Sequence, residues 1–366
     1  MRKGDLMRQY EGTSTALITP LNSDGTIDYG SLQRLAEFQI ASGINGMVPC
    51  GTTGQSPTLS WEEHHEINNA VIMARNRARN IPIIVGAGSN NAREGVEATK
   101  AAAEMGANAT LHVSGYYNAP TQTGFADYFA LVAEAAPTDV IIYNIPGRGH
   151  PIIHADVIAA LAKAYPNIVG TKDATGGRAL PQDEDASFWR AVRSEAGARG
   201  LENFLILSGD DPLTYQMMTD PSIAGNGVIS VWSNLFPGVY SAMTATVLDG
   251  NPAYAREINE SLKELNGLVG VRASYPIRIG DETLEIINDN WRNPQPVQFA
   301  AYLLGMIGSP AMRSPMSVPP DAVQKKVGTA LYRLREAHPS YFDGIQRAFS
   351  PQPTIADRLM KYRGVV

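Results

Sequence analysis

Residues 139–146 read DVIIYNIP and residues 169–176 read VGTKDATG. Each is apolar almost without interruption until it meets polar groups: Tyr143 and Asn144 in the first, Lys172 and Asp173 in the second. A strand with one wet face alternates apolar and polar residues, whereas a continuously apolar run is a parallel strand covered on both faces. Outward from these two, comparable runs recur at 14–21, 44–50, 81–86 (IPIIVG), 109–113, 204–208 and 227–231, which with 140–145 and 168–172 makes eight. Between them lie stretches of helical period at 29–41, 60–79, 92–105, 124–136, 154–164, 185–196 and 212–219. Strand and helix alternating through parallel crossovers predict the α/β class, and eight repeats predict closure into a (β/α)8 TIM barrel, with a doubly wound open sheet as the rival.

Beyond the eighth run helical periods dominate, so the chain divides into a barrel over 1–235 and a helical C-terminal region over 236–366 that ends in an extended tail beyond His338. Two stretches, 176–185 and 272–296, read as loops or insertions, the second having a surface or interface helix as its rival. The 366 residues are 44% hydrophobic and 18% charged, enough for a large core. A net charge of −6 supplies no basic field for nucleic acid or anionic lipid, and a small polar or anionic metabolite is the expected partner. No apolar run approaches ~18 residues, which argues against a membrane span, and the opening MRKGDLMRQYEG, charged and without an apolar stretch behind it, is not expected to be a signal peptide. The single cysteine, Cys50, excludes an internal disulfide and points to the reducing cytoplasm.

Several motifs fail. GTTGQS (51–56) lacks the Gly-Lys-Ser/Thr of a phosphate-binding loop, and GAGSNN (86–91) lacks the last glycine of a dinucleotide turn, so no nucleotide cofactor is expected. His64 and His65 sit among Glu62, Glu63 and Glu66 without the i, i+4 spacing of a zinc helix and read as a solvated helix face; no metal is expected. Cys50, without a recognisable base, reads as a small buried apolar residue.

Polar residues concentrate instead where strands end, which in a barrel is where active sites are built. The second strand leads into Thr52 and Thr53, the fourth into Tyr116 and Tyr117, the fifth into Tyr143 and Arg148, and the sixth ends on Lys172. A lysine at the end of an apolar strand either lies just beyond it in solvent or is desolvated; in the second case, which the hydroxyl groups at neighbouring strand ends favour, its pKa falls and it becomes an amine nucleophile able to form an imine with a carbonyl substrate. Tyrosine and threonine hydroxyls can carry the protons such steps need without adding fixed charge.

GTTGQSPTLS (51–60), SGYYNAPTQTG (114–124), YNIPGR (143–148), VGTKDATG (169–176), LSGDD (207–211) and GNGVISV (225–231) resemble, in order and spacing, the dihydrodipicolinate synthase and N-acetylneuraminate lyase family, and NPQPVQFAAYLLG (293–305) extends the likeness. The Thr-Thr pair, the YYN motif and the arginine after YNIP resemble the synthase branch. The resemblance implies a lyase, a pyruvate-dependent class I aldolase on a TIM barrel, with no cofactor beyond the covalent imine. It implies Lys172 as the imine lysine, Tyr143 as the acid and base, and Thr52 with Tyr117 as the proton relay. Tyr117 would act from a neighbouring subunit in a homotetramer built as a dimer of dimers. Thr53 would hold the pyruvate carboxylate and Arg148 that of the aldehyde, while Gly209 and Ile229 would line the pocket through backbone groups. In members inhibited by lysine the effector site matches Ser56, His64, Asn90, Glu94 and Tyr116. Departures from the pattern are Gln55 for glutamate, Gly115 for proline, the longer stretches 176–200 and 272–291, and the tail. The leading reading is dihydrodipicolinate synthase chemistry, pyruvate with aspartate semialdehyde, as in lysine biosynthesis. Its rivals are a catabolic 2-oxo acid aldolase or dehydratase with another substrate, and a non-catalytic ligand-binding barrel.

Overall fold

In the computed structural model, which describes residues 8–78, 80–178, 183–184 and 186–364, the apolar runs form eight parallel strands. They are β1 (Gly12–Ala16), β2 (Gly46–Val48), β3 (Ile84–Gly86), β4 (Ala109–His112), β5 (Asp139–Asn144), β6 (Ile168–Asp173), β7 (Leu205–Ser208) and β8 (Gly227–Ser230). Neighbours pair in chain order, β1 pairs β8, and a parallel bridge between Met47 and Ile83 joins β2 to β3, so the sheet closes into a TIM barrel. Around it run α1 (Tyr29–Ala41), α2 (Trp61–Arg77), α3 (Ala92–Glu104), α4 (Gln122–Ala135), α5 (Ala155–Ala164), α6 (Ser187–Ala198) and α7 (Thr214–Thr219).

Alternation along each strand splits the core in two. Ile141, Tyr143, Leu205, Leu207 and Ile229 pack with Val48, Ile84 and Leu111 inside the barrel. Val140, Ile142, Ile168, Phe204 and Ile206 pack outward against the helices. One irregularity matters for the chemistry. Val140 pairs Ile168 but Ile141 pairs Gly170, leaving Val169 as an extra residue in β6. The bulge resets the alternation, so that Lys172 pairs Tyr143 and both face inward. Asp173 consequently faces outward, where the Trp189 indole of α6 donates to its Oδ1 at 2.7 Å. Tyr10 fills the other end of the barrel, donating to the Asn108 carbonyl at 3.0 Å and to Asp139 Oδ2 at 2.8 Å.

The region after β8 is not purely helical. α8 (Pro237–Leu248) and α9 (Pro252–Ser261) are followed by an antiparallel hairpin, β9 (Gly270–Ile279) and β10 (Glu282–Arg292), then by α10 (Gln295–Leu303), α11 (Asp321–Ala337), α12 (Asp343–Phe349) and α13 (Ile355–Met360). The loop or helix expected over 272–296 is therefore corrected to a hairpin. Ile279 pairs Glu282 across a two-residue turn in which Gly280 takes a φ of +59°, the backbone sign such turns require. The tail packs against the barrel's flank: Phe349 meets Phe38 of α1 edge to face at 5.3 Å, and Phe342 meets Phe236 at 4.9 Å. Arg313, between α10 and α11, binds Glu63 of α2 with two nitrogens at 2.6 Å each and donates its backbone N–H to Gln55 Oε1 at 3.2 Å. Much of the expected loop at 176–185 lies outside the described residues. Among the described residues no helix is long and apolar enough to cross a membrane.

Candidate active site

The C-terminal ends of the strands surround a cavity of about 230 Å³, lined by Thr52, Thr53, Tyr143, Arg148, Lys172 and Gly209 among others. Lys172, 6% exposed, rises from β6 with its Nζ 4.3 Å from the centre of the Tyr143 ring. Burial lowers the lysine's pKa to about 8, against a weaker upward pull from Asp210 and Asp211. At pH 7 this leaves about one amine in ten neutral, where an unperturbed lysine would leave about one in three thousand. Neutral amine attacks a carbonyl, so the rate of imine formation with pyruvate is expected to rise with pH through a midpoint near 8 and level off above it. Trapping rates measured from pH 6 to 11 check this; a midpoint near 10.5 would mean that the amine is not desolvated.

The Tyr143 phenol is pushed well above its ordinary pKa, first by burial, while Arg148 and a hydrogen bond with Thr52 pull it back down. It stays protonated across the working range and can hand a proton to a nearby atom, with Thr52 next in line. Gly209 is held close by its N–H to the Asp173 carbonyl at 2.7 Å, and a Cβ there would meet Ala174 Cβ at 2.8 Å. Asp210 is raised to about 6 by burial and by Asp173; Asp211, also raised by burial, accepts from the Val231 and Trp232 N–H groups through Oδ2.

The structure adds residues that the strand-end reading missed. Asn290, Arg292 and Asn293, from the end of the hairpin, line the cavity. Asn293 Nδ2 donates to Thr53 Oγ1 at 3.0 Å, and the Asn293 carbonyl accepts from Arg148 Nη2 at 2.6 Å. One residue thus ties together the two side chains expected to meet carboxylates. LSGDD and NPQPVQFAAYLLG contain Asp210, Asp211 and Asn293, but strand-end logic gave them no role. Two expected residues are elsewhere. Ile229 is packed inside the barrel and does not line the cavity, which Val231 does. Tyr117 is 91% exposed, in the left-handed region at φ 71°, with its N–H on the Gly149 carbonyl at 2.9 Å.

Of the residues matched to an effector site, Ser56 and Tyr116 line a second, adjoining cavity, and the His64 Nε2 donates to the Ser56 carbonyl at 3.1 Å. His64 is buried against Trp61, 4.8 Å between ring centres, with its pKa lowered by burial; the solvated face expected there belongs to Glu62, His65 and Glu66. Glu94 accepts from Ser89 Oγ and Asn91 Nδ2 at the start of α3, and the Asn90 carbonyl accepts from Asn118 Nδ2 at 2.8 Å. Cys50 is buried, as expected.

The model of the dihydrodipicolinate synthetase family matches residues 9–287. The chain belongs to that family. Its members are pyruvate-dependent class I aldolases of the lyase class. The chain is 37% identical over 325 residues to a 4-hydroxy-tetrahydrodipicolinate synthase of Sorangium cellulosum, covering 88% of this chain and 95% of that one. It superposes on the 4-hydroxy-tetrahydrodipicolinate synthase of Methylacidiphilum fumariolicum with a TM-score of 0.76 at 33% identity, over 93% of this chain and 99% of that one. It also superposes on a monomeric dihydrodipicolinate synthase variant with a TM-score of 0.77 at 27% identity, over 90% and 98% of the two chains. The family match stops within β10, short of Arg292 and Asn293.

Proposed function

We propose that this chain is a 4-hydroxy-tetrahydrodipicolinate synthase that joins pyruvate to aspartate semialdehyde through an imine on Lys172. The observation that carries the reading is the buried Lys172 amine against the Tyr143 ring, in one cavity with Arg148 and Thr53. The neutral amine attacks the pyruvate keto carbon, and the carbinolamine loses water once Tyr143 delivers a proton to its hydroxyl. Tyr143, left as the phenolate by that transfer, takes a methyl proton to give the enamine, whose carbon attacks the aldehyde while the phenol returns the proton to the aldehyde oxygen. The acceptor's own amino group then attacks the imine carbon, closing the ring and releasing the Lys172 amine. No cofactor or metal enters these steps. Thr53 holds the pyruvate carboxylate and Arg148 the acceptor's, a task suited to a guanidinium fork. The relatives' names support the acceptor, and the extra length of the segment 272–291 favours the second reading, a catabolic aldolase with another acceptor.

Arg148→Ala decides between them in part. It is expected to raise the KM for aspartate semialdehyde about tenfold or more and to disturb pyruvate trapping far less, since the arginine meets the acceptor directly and the first half-reaction only through Tyr143. If aspartate semialdehyde gives no product although pyruvate still forms the imine, the catabolic reading replaces the synthase.

The exposure and strained backbone of Tyr117 support a role across an interface, in a homotetramer of paired dimers. Light scattering on active enzyme is expected to give a tetramer mass, and Tyr117→Phe to lower turnover without dissociating it. A fully active monomer would remove the cross-subunit relay. The lone buried cysteine supports a cytoplasmic setting.

A further inference from the structure

Arg292, the last residue of β10, lines the same cavity as Arg148 and Lys172 and is itself exposed. Its Nη1 donates to the Gly147 carbonyl at 3.3 Å. With the Asn290 amide turned so that its oxygen faces the guanidinium, that oxygen accepts from Arg292 Nε at 2.8 Å and Nη2 at 3.1 Å. These contacts fix the head group beside the loop that carries Arg148 without exhausting its N–H donors. The fixed charges lining the cavity are then three cations, Arg148, Arg292 and Lys172, against the single carboxylate of Asp210. Arg148 is pulled down by burial first, and by the neighbouring charge of Arg292 as well. A fixed pair of like charges at a cavity mouth is unfavourable until an anion lies between them, and planar guanidinium forks match a carboxylate.

We propose that Arg292 is a specificity-determining residue that forms, with Arg148, a two-guanidinium clamp for the carboxylate of the acceptor aldehyde. This rests on the imine-aldolase reading of the cavity, and it assigns the hairpin a part in choosing the substrate. It favours acceptors with a carboxylate on the chain beyond the aldehyde and disfavours neutral aldehydes.

The test uses the full-length enzyme and three variants: Arg292→Gln, which keeps N–H donors for Gly147 but removes the charge, Arg292→Lys, which keeps the charge, and Arg148→Ala. Binding of succinate, an inert dicarboxylate, to the pyruvate-loaded enzyme is measured by titration calorimetry beside the KM for aspartate semialdehyde, with pyruvate trapping as the check that the site is intact. Arg292→Gln is expected to weaken succinate by about tenfold or more and to raise KM more than it lowers kcat, with most of the loss restored in Arg292→Lys. Should Arg292→Gln shift neither quantity more than about twofold while Arg148→Ala shifts both, or should succinate fail to bind the pyruvate-loaded native enzyme, the clamp is wrong. Succinate binding that depends on Arg292, in an enzyme making no product from aspartate semialdehyde, would leave the clamp standing and remove only the synthase reading.

Discussion

Lys172→Ala is expected to lose turnover by on the order of 10⁴-fold or more, the scale seen when a covalent nucleophile is removed from a set of groups that act together. The rest of the cavity can bind pyruvate, but without the amine there is no imine, and hence no enamine to attack an aldehyde. Folding should survive. A buried amine costs free energy to desolvate, and its lowered pKa shows that this cost outweighs the attraction of Asp210 and Asp211. Lys172→Met, which keeps most of the volume, is therefore expected to unfold at the native temperature or above while being equally inactive. Steady-state rates for both variants, with thermal melts alongside, check the prediction. An active Lys172→Ala enzyme would transfer the nucleophile's role to another group.

Tyr143→Phe is expected to lower kcat by roughly 10²- to 10⁴-fold, the usual contribution of a positioned proton carrier. The change is narrow by construction. The ring is buried inside the barrel, packed with Ile141, Leu205 and Leu207, and it keeps its face towards the lysine Nζ at 4.3 Å, so packing is conserved. What disappears is the hydroxyl that Thr52 contacts and that Arg148 steadies. Because burial holds the phenol protonated, the native pH profile should be shaped by Lys172 near 8 and not by ionisation of this tyrosine below pH 10. A Tyr143→Phe enzyme with a near-native kcat would refute the proton-carrier assignment.

The barrel was legible because parallel strands covered on both faces are continuously apolar, and those runs stand out in IPIIVG and DVIIYNIP. Lys172 was legible for a related reason: it closes such a run with hydroxyl groups gathered at the neighbouring strand ends, company that a lysine lying just beyond the strand in solvent would not need. Its register against Tyr143 was not, since this depends on a bulge at Val169 that no local pattern marks. The hairpin at 270–292 was hidden by its Pro and Asn content, although Gly280–Asp281 between two runs that alternate in polarity is a hairpin signal. His64 was misjudged because its neighbours are acidic, while α2 turns that one residue towards Ser56 and the core. Arg292 and Asn293 could not be found from strand ends at all. They reach the cavity from a segment more than a hundred residues beyond Lys172, a placement set by the tertiary fold alone.

An imine on Lys172 can be caught by incubating the native enzyme with pyruvate, reducing with borohydride and sequencing the modified peptide by mass spectrometry. A single reduced three-carbon adduct per chain is expected, on Lys172, formed only when pyruvate and borohydride are both present. An adduct on another lysine, or an unmodified chain under conditions where the enzyme turns over, would contradict it.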